Sequence, residues 1–275
     1  MFLTEILKTI LIGIVQGITE WLPVSSTGHM ILLDELLSLS VSNEFLKMFF
    51  VVIQLGSIFA VFTLYFRKLN PLSPKKSREE KKAAVNIWLK VAVASIPAAV
   101  IGVLFDDLIE ELLKGPTVIA VMLIVYGIAF IIIERVRKAK SNTREIASVD
   151  DISYKNALAI GAFQVLALIP GTSRSGSTII GGMLTGTSRT AAAEFSFFLA
   201  IPVMLGASLV KVLKFGFAFT GEEVVILLVG MAFAFAVSVV SIKFLMDFVK
   251  RHSFELFGWY RIALGALVIV YFAVR

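Results

Sequence analysis

Apolar runs, each close to the ~20 residues that a helix needs to cross a bilayer, recur along this sequence. Such a chain satisfies its backbone in lipid only as helices or as a closed barrel, and the runs lack the alternation of barrel strands. Composition agrees, because 58% of the 275 residues are hydrophobic and 17% are charged, against about 25% charged in soluble domains. The sequence therefore predicts an all-α polytopic membrane protein.

Six stretches are long and apolar enough to span a bilayer as single helices. They are residues 45–66, 88–105, 117–133, 195–213, 224–245 and the shorter 259–274. Two further stretches, residues 6–37 and 157–184, are interrupted by a proline and a cluster of Ser, Thr and Gly. Pro23 and Pro170 lack a backbone donor and disfavour helix just before them. Each interrupted stretch is predicted to form two short helices around a polar turn.

Each interrupted stretch either crosses the membrane or returns as a re-entrant hairpin, and loop charge favours the hairpin. Basic loops mark the cytoplasmic side, and they lie at residues 67–82 and 135–140. The acidic group at residues 106–111 is predicted to be an external, solvated loop. If both interrupted stretches are re-entrant hairpins, more of the basic residues lie on the cytoplasmic side than if they cross, although Lys211 and Lys214 are then outside. We therefore expect re-entrant pairs.

The two interrupted stretches repeat one another. GIVQGITEWLPVSSTGHMI aligns with GAFQVLALIPGTSRSGSTI at a constant offset, with identities Gln16 on Gln164, Ser25 on Ser173 and Gly28 on Gly176. Residues 1–137 and 152–275 are then two repeats joined by a cytoplasmic linker, residues 138–151. Each repeat holds one re-entrant pair and three spans, about ten helices in total. The odd number of spans predicts an inverted-topology repeat, a layout common in transporters.

The first polar turn follows two polar side chains on one helix face, Gln16 and Glu20. A carboxylate inside a membrane helix is costly and usually functional, although a structural hydrogen bond to a neighbouring helix is the alternative. Glu20 is suited to ligate a divalent cation or to act as a general base. Gln16 offers a neutral oxygen to the same cation.

The turn itself is the run from Ser25 to Gly28, followed by His29. Structurally, the run is suited to cap the helix that follows. Functionally, the amides at a helix start bind anions, phosphate above all, so Ser25, Thr27 and Gly28 are candidate substrate-binding residues. Ser26 is a candidate nucleophile if a base lies within reach. His29 is a candidate base, a candidate acid for the leaving group, or itself the phosphoryl acceptor.

The second turn is PGTSRSGS, and it lacks the GK[ST] ending of a Walker A loop. Arg174 needs an anionic partner inside a membrane, and its planar fork suits a phosphate. A structural ion pair with Glu20 or Glu194 is the alternative, and Glu194 is also predicted to pair with Arg189. The remaining polar or small residues of the turn are candidate substrate-binding residues: Gly171, Thr172, Ser173 and Ser175.

At these two turns the sequence resembles the bacitracin-resistance family of undecaprenyl-pyrophosphate phosphatases. The motifs are Gln16-x3-Glu20, LPVSSTGH and PGTSRSG, and length and segment pattern match along the whole chain. The resemblance implies hydrolysis of undecaprenyl pyrophosphate at the outer side of the bacterial plasma membrane, assisted by Mg2+ or Ca2+. It also implies that Glu20, Ser26, His29 and Arg174 are the important residues. Either Ser26 or His29 remains the attacking group.

A transporter or flippase for an anion or a polyprenyl phosphate is the rival function, because inverted repeats and broken helices are typical of transporters. A nucleophile beside an acid/base pair favours the enzyme. The expected partners are the polyprenyl pyrophosphate and membrane lipid, and a homo-oligomer is compatible with both functions. No nucleic-acid partner is expected, because the net charge of +6 comes from short basic loops.

Overall fold

A computed structural model describes residues 2–113, 115–139 and 145–274, with the backbone alone for residues 106, 107 and 110. These ranges fold into eleven α-helices and contain no β-strand, only an isolated bridge between Ile146 and Thr187. In chain order the helices are α1 Phe2–Thr19, α2 Ser26–Leu37, α3 Asn43–Val52, α4 Gln54–Leu69, α5 Arg78–Leu113, α6 Pro116–Ala139, α7 Tyr154–Val165, α8 Arg174–Leu184, α9 Arg189–Phe215, α10 Gly221–Arg251 and α11 Glu255–Val274.

Seven helical stretches of the described chain are long and apolar enough to cross a membrane. Six of them contain the predicted spans, with α3 and α4 forming one stretch that is interrupted at Ile53. The prediction of an all-α polytopic membrane protein is therefore confirmed. The seventh is α1, Phe2–Thr19, which is 18 residues long and remains helical through Glu5 and Lys8 near its start. It is longer than the short helix predicted there.

The acidic group at residues 106–111 is not in a loop, and this prediction was wrong. Helix α5 continues through it to Leu113, and α6 begins at Pro116, directly after a bend at Gly115. The run LFDDLIEELL is rich in Leu and Glu, which favour helix. A cluster of acidic residues therefore does not end the helix here. Of the predicted linker, residues 140–144 lie outside the described residues, and residues 138–139 belong to the end of α6.

Both interrupted stretches break where the polar turns were predicted. Helix α1 gives way to α2 across residues 20–25, and α7 gives way to α8 across residues 166–173. Ser25 and Ser173 are the N-caps, each with φ of 73°, and their hydroxyls accept hydrogen bonds from the amides of Gly28 and Gly176. A positive φ is uncommon in residues other than glycine. The same rare geometry at aligned positions is what an internal repeat predicts.

The helices that precede the two polar turns each pack on a helix from the other half of the chain. Helix α1 packs on α10, whereas α7, its counterpart in the repeat, packs on α5. Both contacts depend on glycine, because a Cβ at Gly17 would lie 2.8 Å from the Ala234 carbonyl, and one at Gly161 would overlap the Ala94 carbonyl. Helices α6 and α11 pack on each other through Gly127. This exchange of partners brings the two polar turns together, while the re-entrant path and the inverted orientation stay predictions.

Candidate functional site

The two polar turns meet at the carboxylate of Glu20, which is 4% exposed. Its Oε1 accepts a hydrogen bond from Nη2 of Arg174 at 3.0 Å, which makes an ion pair between the turns. Its Oε2 accepts from Nε2 of Gln16 and from Oγ of Ser26, each at 3.0 Å. The structure thus joins three of the four predicted catalytic residues and the predicted metal ligand Gln16 in one network.

Arg174 is held on three sides. Its Nη1 donates to the backbone oxygen of Ser196 at 2.8 Å and to the Ser196 hydroxyl at 3.2 Å. Its guanidinium lies 5.7 Å from the ring centre of Trp21, which itself meets Phe197 edge to face. The Nε of Arg174 is buried and has no hydrogen-bond partner among the described residues. That N–H is an unused donor at the junction, which is the place where the two turns meet around Glu20 and Arg174.

The described hydrogen bonds of His29 go to Ser25 and Tyr260 and not to Glu20. Its Nδ1 lies 2.7 Å from the backbone oxygen of Ser25 and its Nε2 lies 2.7 Å from the hydroxyl of Tyr260. A carbonyl only accepts, so Nδ1 carries a proton, and in the neutral ring Nε2 accepts from Tyr260. In the described contacts the hydroxyl of Ser26 donates to Glu20 and not to His29. The structure therefore does not bring His29 to Ser26 as its base.

The predicted substrate-binding residues fall into different environments. Ser25 and Ser173 act as helix caps, and Thr27 is exposed beside them. Ser175 is buried, and its hydroxyl lies 3.2 Å from the Glu20 carbonyl, which links the second turn to the first. Thr172 is buried with a hydroxyl that has no partner in the described chain. A free hydroxyl and a free guanidinium N–H lie in the same turn.

Gly171 and Gly28 contribute backbone. Gly171 has φ of 89°, and a Cβ there would lie 2.6 Å from the Ile119 carbonyl. Both the conformation and the close approach to α6 therefore require glycine. Gly28 donates its amide to the Ser25 cap, although at 3.4 Å this hydrogen bond is long. The two positions set the path of the turns.

A divalent cation has a limited set of ligands at this site. The described residues contain no group of three or more His, Cys, Asp or Glu side chains that would hold a metal. The Oε1 of Gln16 is buried, however, with no hydrogen-bond partner among the residues that the structure describes, and it lies on the side chain that also contacts Glu20. Mg2+ commonly binds through one or two carboxylates and completes its shell with substrate phosphates and water. Gln16 and Glu20 fit a cation of that kind.

Several residues at the junction were missed by sequence reasoning. Tyr260 and Arg261 lie in a stretch that was counted only as a span, and Ser196 lies in another. A charged residue within an apolar span is the signal that singles out Arg261. The predicted pair of Arg189 with Glu194 was wrong. Arg189 binds the buried Glu134 of α6, and Glu194 pairs with Lys68 of α4.

The sequence is similar to proteins of one kind along its length. The family model described as "Bacitracin resistance protein BacA" matches residues 9–267. The chain is 57% identical over 272 residues to an undecaprenyl-diphosphatase of Enterococcus faecalis, covering 98% of each. It is 56% identical over 276 residues to that of Desulfitobacterium hafniense, covering 100% of this chain and 99% of the relative. Undecaprenyl-diphosphatase 1 of Clostridioides difficile is 59% identical over 270 residues, covering 98% and 97%.

Proposed function

Because the chain belongs to the family of the bacitracin resistance protein BacA, we infer that it is an undecaprenyl-diphosphatase, as its relatives are named. Its reaction converts undecaprenyl pyrophosphate and water to undecaprenyl phosphate and phosphate, which recycles the lipid carrier of cell-wall synthesis. The observation that carries the proposal is the carboxylate of Glu20, which contacts Ser26 of one turn and Arg174 of the other. A hydrolase needs such a base beside a nucleophile, whereas a transporter does not.

We propose that Ser26 attacks the terminal phosphorus. Its hydroxyl donates to Glu20 at 3.0 Å, so Glu20 is placed to take the proton as the new oxygen–phosphorus bond forms. The bond from that phosphorus to the bridging oxygen breaks, and undecaprenyl phosphate leaves. Water then cleaves the phosphoserine, which releases phosphate and returns the proton to Ser26. The contacts of His29 with Ser25 and Tyr260 favour Ser26 as nucleophile. In our proposal His29 protonates the leaving group from its imidazolium form, in which both ring nitrogens carry protons.

Charge on the phosphoryl oxygens is the main barrier to be lowered in phosphoryl transfer. Arg174 supplies a fixed positive charge, and its unpartnered Nε–H is a further donor. The amides at the starts of α2 and α8 add partial positive charge. We propose that Gln16 and Glu20 hold Mg2+ or Ca2+, which when bound supplies further neutralisation of the pyrophosphate.

The protein lies in the bacterial plasma membrane with the site facing outside, in our proposal. The basic loop between α4 and α5 is then inside and the α9–α10 loop outside. The chain contains no cysteine, so single cysteines report orientation without background. In intact cells a membrane-impermeant maleimide should label Glu222→Cys and spare Lys75→Cys, both of which are exposed positions. The reverse pattern would reject the external site.

Phosphate release by the purified protein in detergent tests the function. Wild-type protein should release phosphate from undecaprenyl pyrophosphate, and EDTA should suppress the release until Mg2+ or Ca2+ is restored. Ser26→Ala should abolish it. Ser241→Ala is the matched control, because in the described chain that hydroxyl bonds within α10, to the Val237 carbonyl. No release by wild-type protein in the presence of cation would refute the hydrolase.

The identity of the nucleophile has its own test. With substrate labelled in the terminal phosphate, rapid quenching in cold detergent at neutral pH should trap a phosphoserine at residue 26 that survives later treatment with acid. His29→Gln should still form it, although more slowly. An acid-labile label on His29 would reject Ser26 as the attacking group.

A further inference from the structure

Arg261 is a fully buried arginine in α11 that contacts both polar turns. Its relative exposure is 0%. Its Nη1 donates to the Pro23 carbonyl of the first turn at 3.2 Å. Its Nη2 donates to the carbonyls of Gly171 and Thr172 in the second turn, at 2.9 and 3.0 Å. One guanidinium therefore bridges the backbones of the two turns.

The remaining surroundings of Arg261 are also neutral. Longer contacts of 3.4 Å join Nε to the Leu123 carbonyl and Nη2 to the Met122 carbonyl of α6. The guanidinium lies 5.5 Å from the ring centre of Tyr126. Among the described residues no carboxylate pairs with Arg261, unlike Arg174. A buried cation without a counter-charge is costly, and in membrane proteins such residues are usually functional.

The charge of Arg261 lies next to the start of α8. A Cβ placed on Gly176, in the first turn of that helix, would lie 3.5 Å from Nη1 of Arg261. Glu20 offsets Arg174 in formal charge, so of these three residues only Arg261 is uncompensated. Its positive charge therefore adds to the field at a helix start that already favours anions.

We propose that Arg261 is a positioning residue with two separable effects on the phosphatase reaction. Its planar fork holds Pro23 and Gly171 at a fixed distance, and thereby holds Ser26 and Arg174 in register. Its charge raises the affinity of the junction for the pyrophosphate without touching it. The inference rests on the proposed function for its kinetic part, whereas its effect on anion affinity is independent of turnover.

Arg261→Lys and Arg261→Met separate the two effects. Lysine keeps the charge but carries donors on one atom, so it cannot reproduce the fork. Misplacement of catalytic groups by about 1 Å costs on the order of 100-fold in rate. For phosphate release we expect kcat of Arg261→Lys to fall about 100-fold with KM within about threefold of wild type. Arg261→Met should lose a similar amount of kcat and also raise KM about tenfold.

Arg189→Lys is the matched control, because Arg189 also joins buried elements, through Glu134, but lies away from the two turns. Its unfolding temperature in detergent should fall while kcat and KM per folded protein stay near wild type. If Arg261→Lys behaves in the same way, with kcat unchanged once the folded fraction is counted, Arg261 is only structural and the positioning role is rejected.

Binding without turnover keeps the charge effect testable if a variant is unstable or if hydrolysis is absent. Farnesyl pyrophosphate is titrated against Ser26→Ala, Ser26→Ala/Arg261→Lys and Ser26→Ala/Arg261→Met, each measured on the folded fraction. The methionine variant should bind about tenfold more weakly and the lysine variant within about threefold. Equal affinity of all three would overturn the charge effect. The expected pattern with no phosphate release by wild-type protein would reject the proposed function alone.

Discussion

Replacement of Glu20 by glutamine perturbs the centre of the site with little change in shape. The carboxylate accepts three hydrogen bonds, from Gln16, Ser26 and Arg174, each at 3.0 Å. The amide of Glu20→Gln has one acceptor oxygen in place of two and cannot take a proton near neutral pH. A general base contributes about 10²- to 10⁴-fold to rate. We therefore expect kcat for phosphate release to fall by at least about 100-fold.

The same change affects stability through Arg174, whose side chain is 10% exposed. Removal of one partner of a buried ion pair typically costs ~3–5 kcal/mol, because the other charge stays buried. Arg174 keeps the Ser196 carbonyl and the Trp21 ring, so we expect about 3 kcal/mol, at the lower end of that range. Glu20→Gln/Arg174→Gln removes both charges and should recover most of this loss while remaining inactive.

The assays are phosphate release from farnesyl pyrophosphate and reversible unfolding in mixed micelles. Glu194→Gln is the control, because Glu194 pairs with Lys68, whose side chain is 31% exposed, and ion pairs in contact with solvent contribute less than buried ones. That variant should keep its turnover and most of its stability. A kcat of Glu20→Gln within tenfold of wild type would refute the general base. A double variant no more stable than Glu20→Gln would refute the ion-pair reasoning.

Two further predictions concern the surroundings of the site. Tyr260→Phe removes the hydroxyl that contacts Nε2 of His29 at 2.7 Å. Since one neutral hydrogen bond is worth about 1 kcal/mol, kcat should fall about fivefold. An unchanged pH–rate profile and kcat would reject a catalytic role for the contact. Gly161→Ala should lower the free energy of unfolding by about 1–3 kcal/mol, because its Cβ would overlap the Ala94 carbonyl of α5. Gly206→Ala, where no atom lies within 4 Å of the added Cβ, should be neutral or stabilising by up to about 1 kcal/mol; equal loss in both variants would contradict the packing argument.

Much of the site could be predicted from sequence because its elements are local. Prolines and hydroxyl clusters mark the two turns, and the aligned Ser25 and Ser173 adopt the same cap geometry. Arg174 was expected to need an anionic partner, and of the two carboxylates considered, Glu20 is the one it pairs with. These inferences needed only residues near each break in hydropathy.

The rest depended on helices that are remote along the chain. Tyr260 reaches His29 only because α11 packs beside α6 and the turns, and no local pattern encodes that distance. His29 therefore contacts Tyr260, and the described hydrogen bond of the Ser26 hydroxyl goes to Glu20 instead. The prediction of a loop at the acidic end of α5 was wrong for a different reason. Charge was taken as a sign of a loop, whereas the leucines and glutamates of this segment favour a helix.

Because Glu20 pairs with Arg174, the protein without substrate carries a carboxylate that competes with phosphate for this arginine. A phosphate that takes the Nη2 donor of Arg174 has to displace this carboxylate from it, so binding at that atom is an exchange of one anion for another. The displaced carboxylate remains attached to the chain and returns at high effective concentration. Release of phosphate is then assisted from within the protein, and product inhibition by phosphate should deepen when the carboxylate is removed.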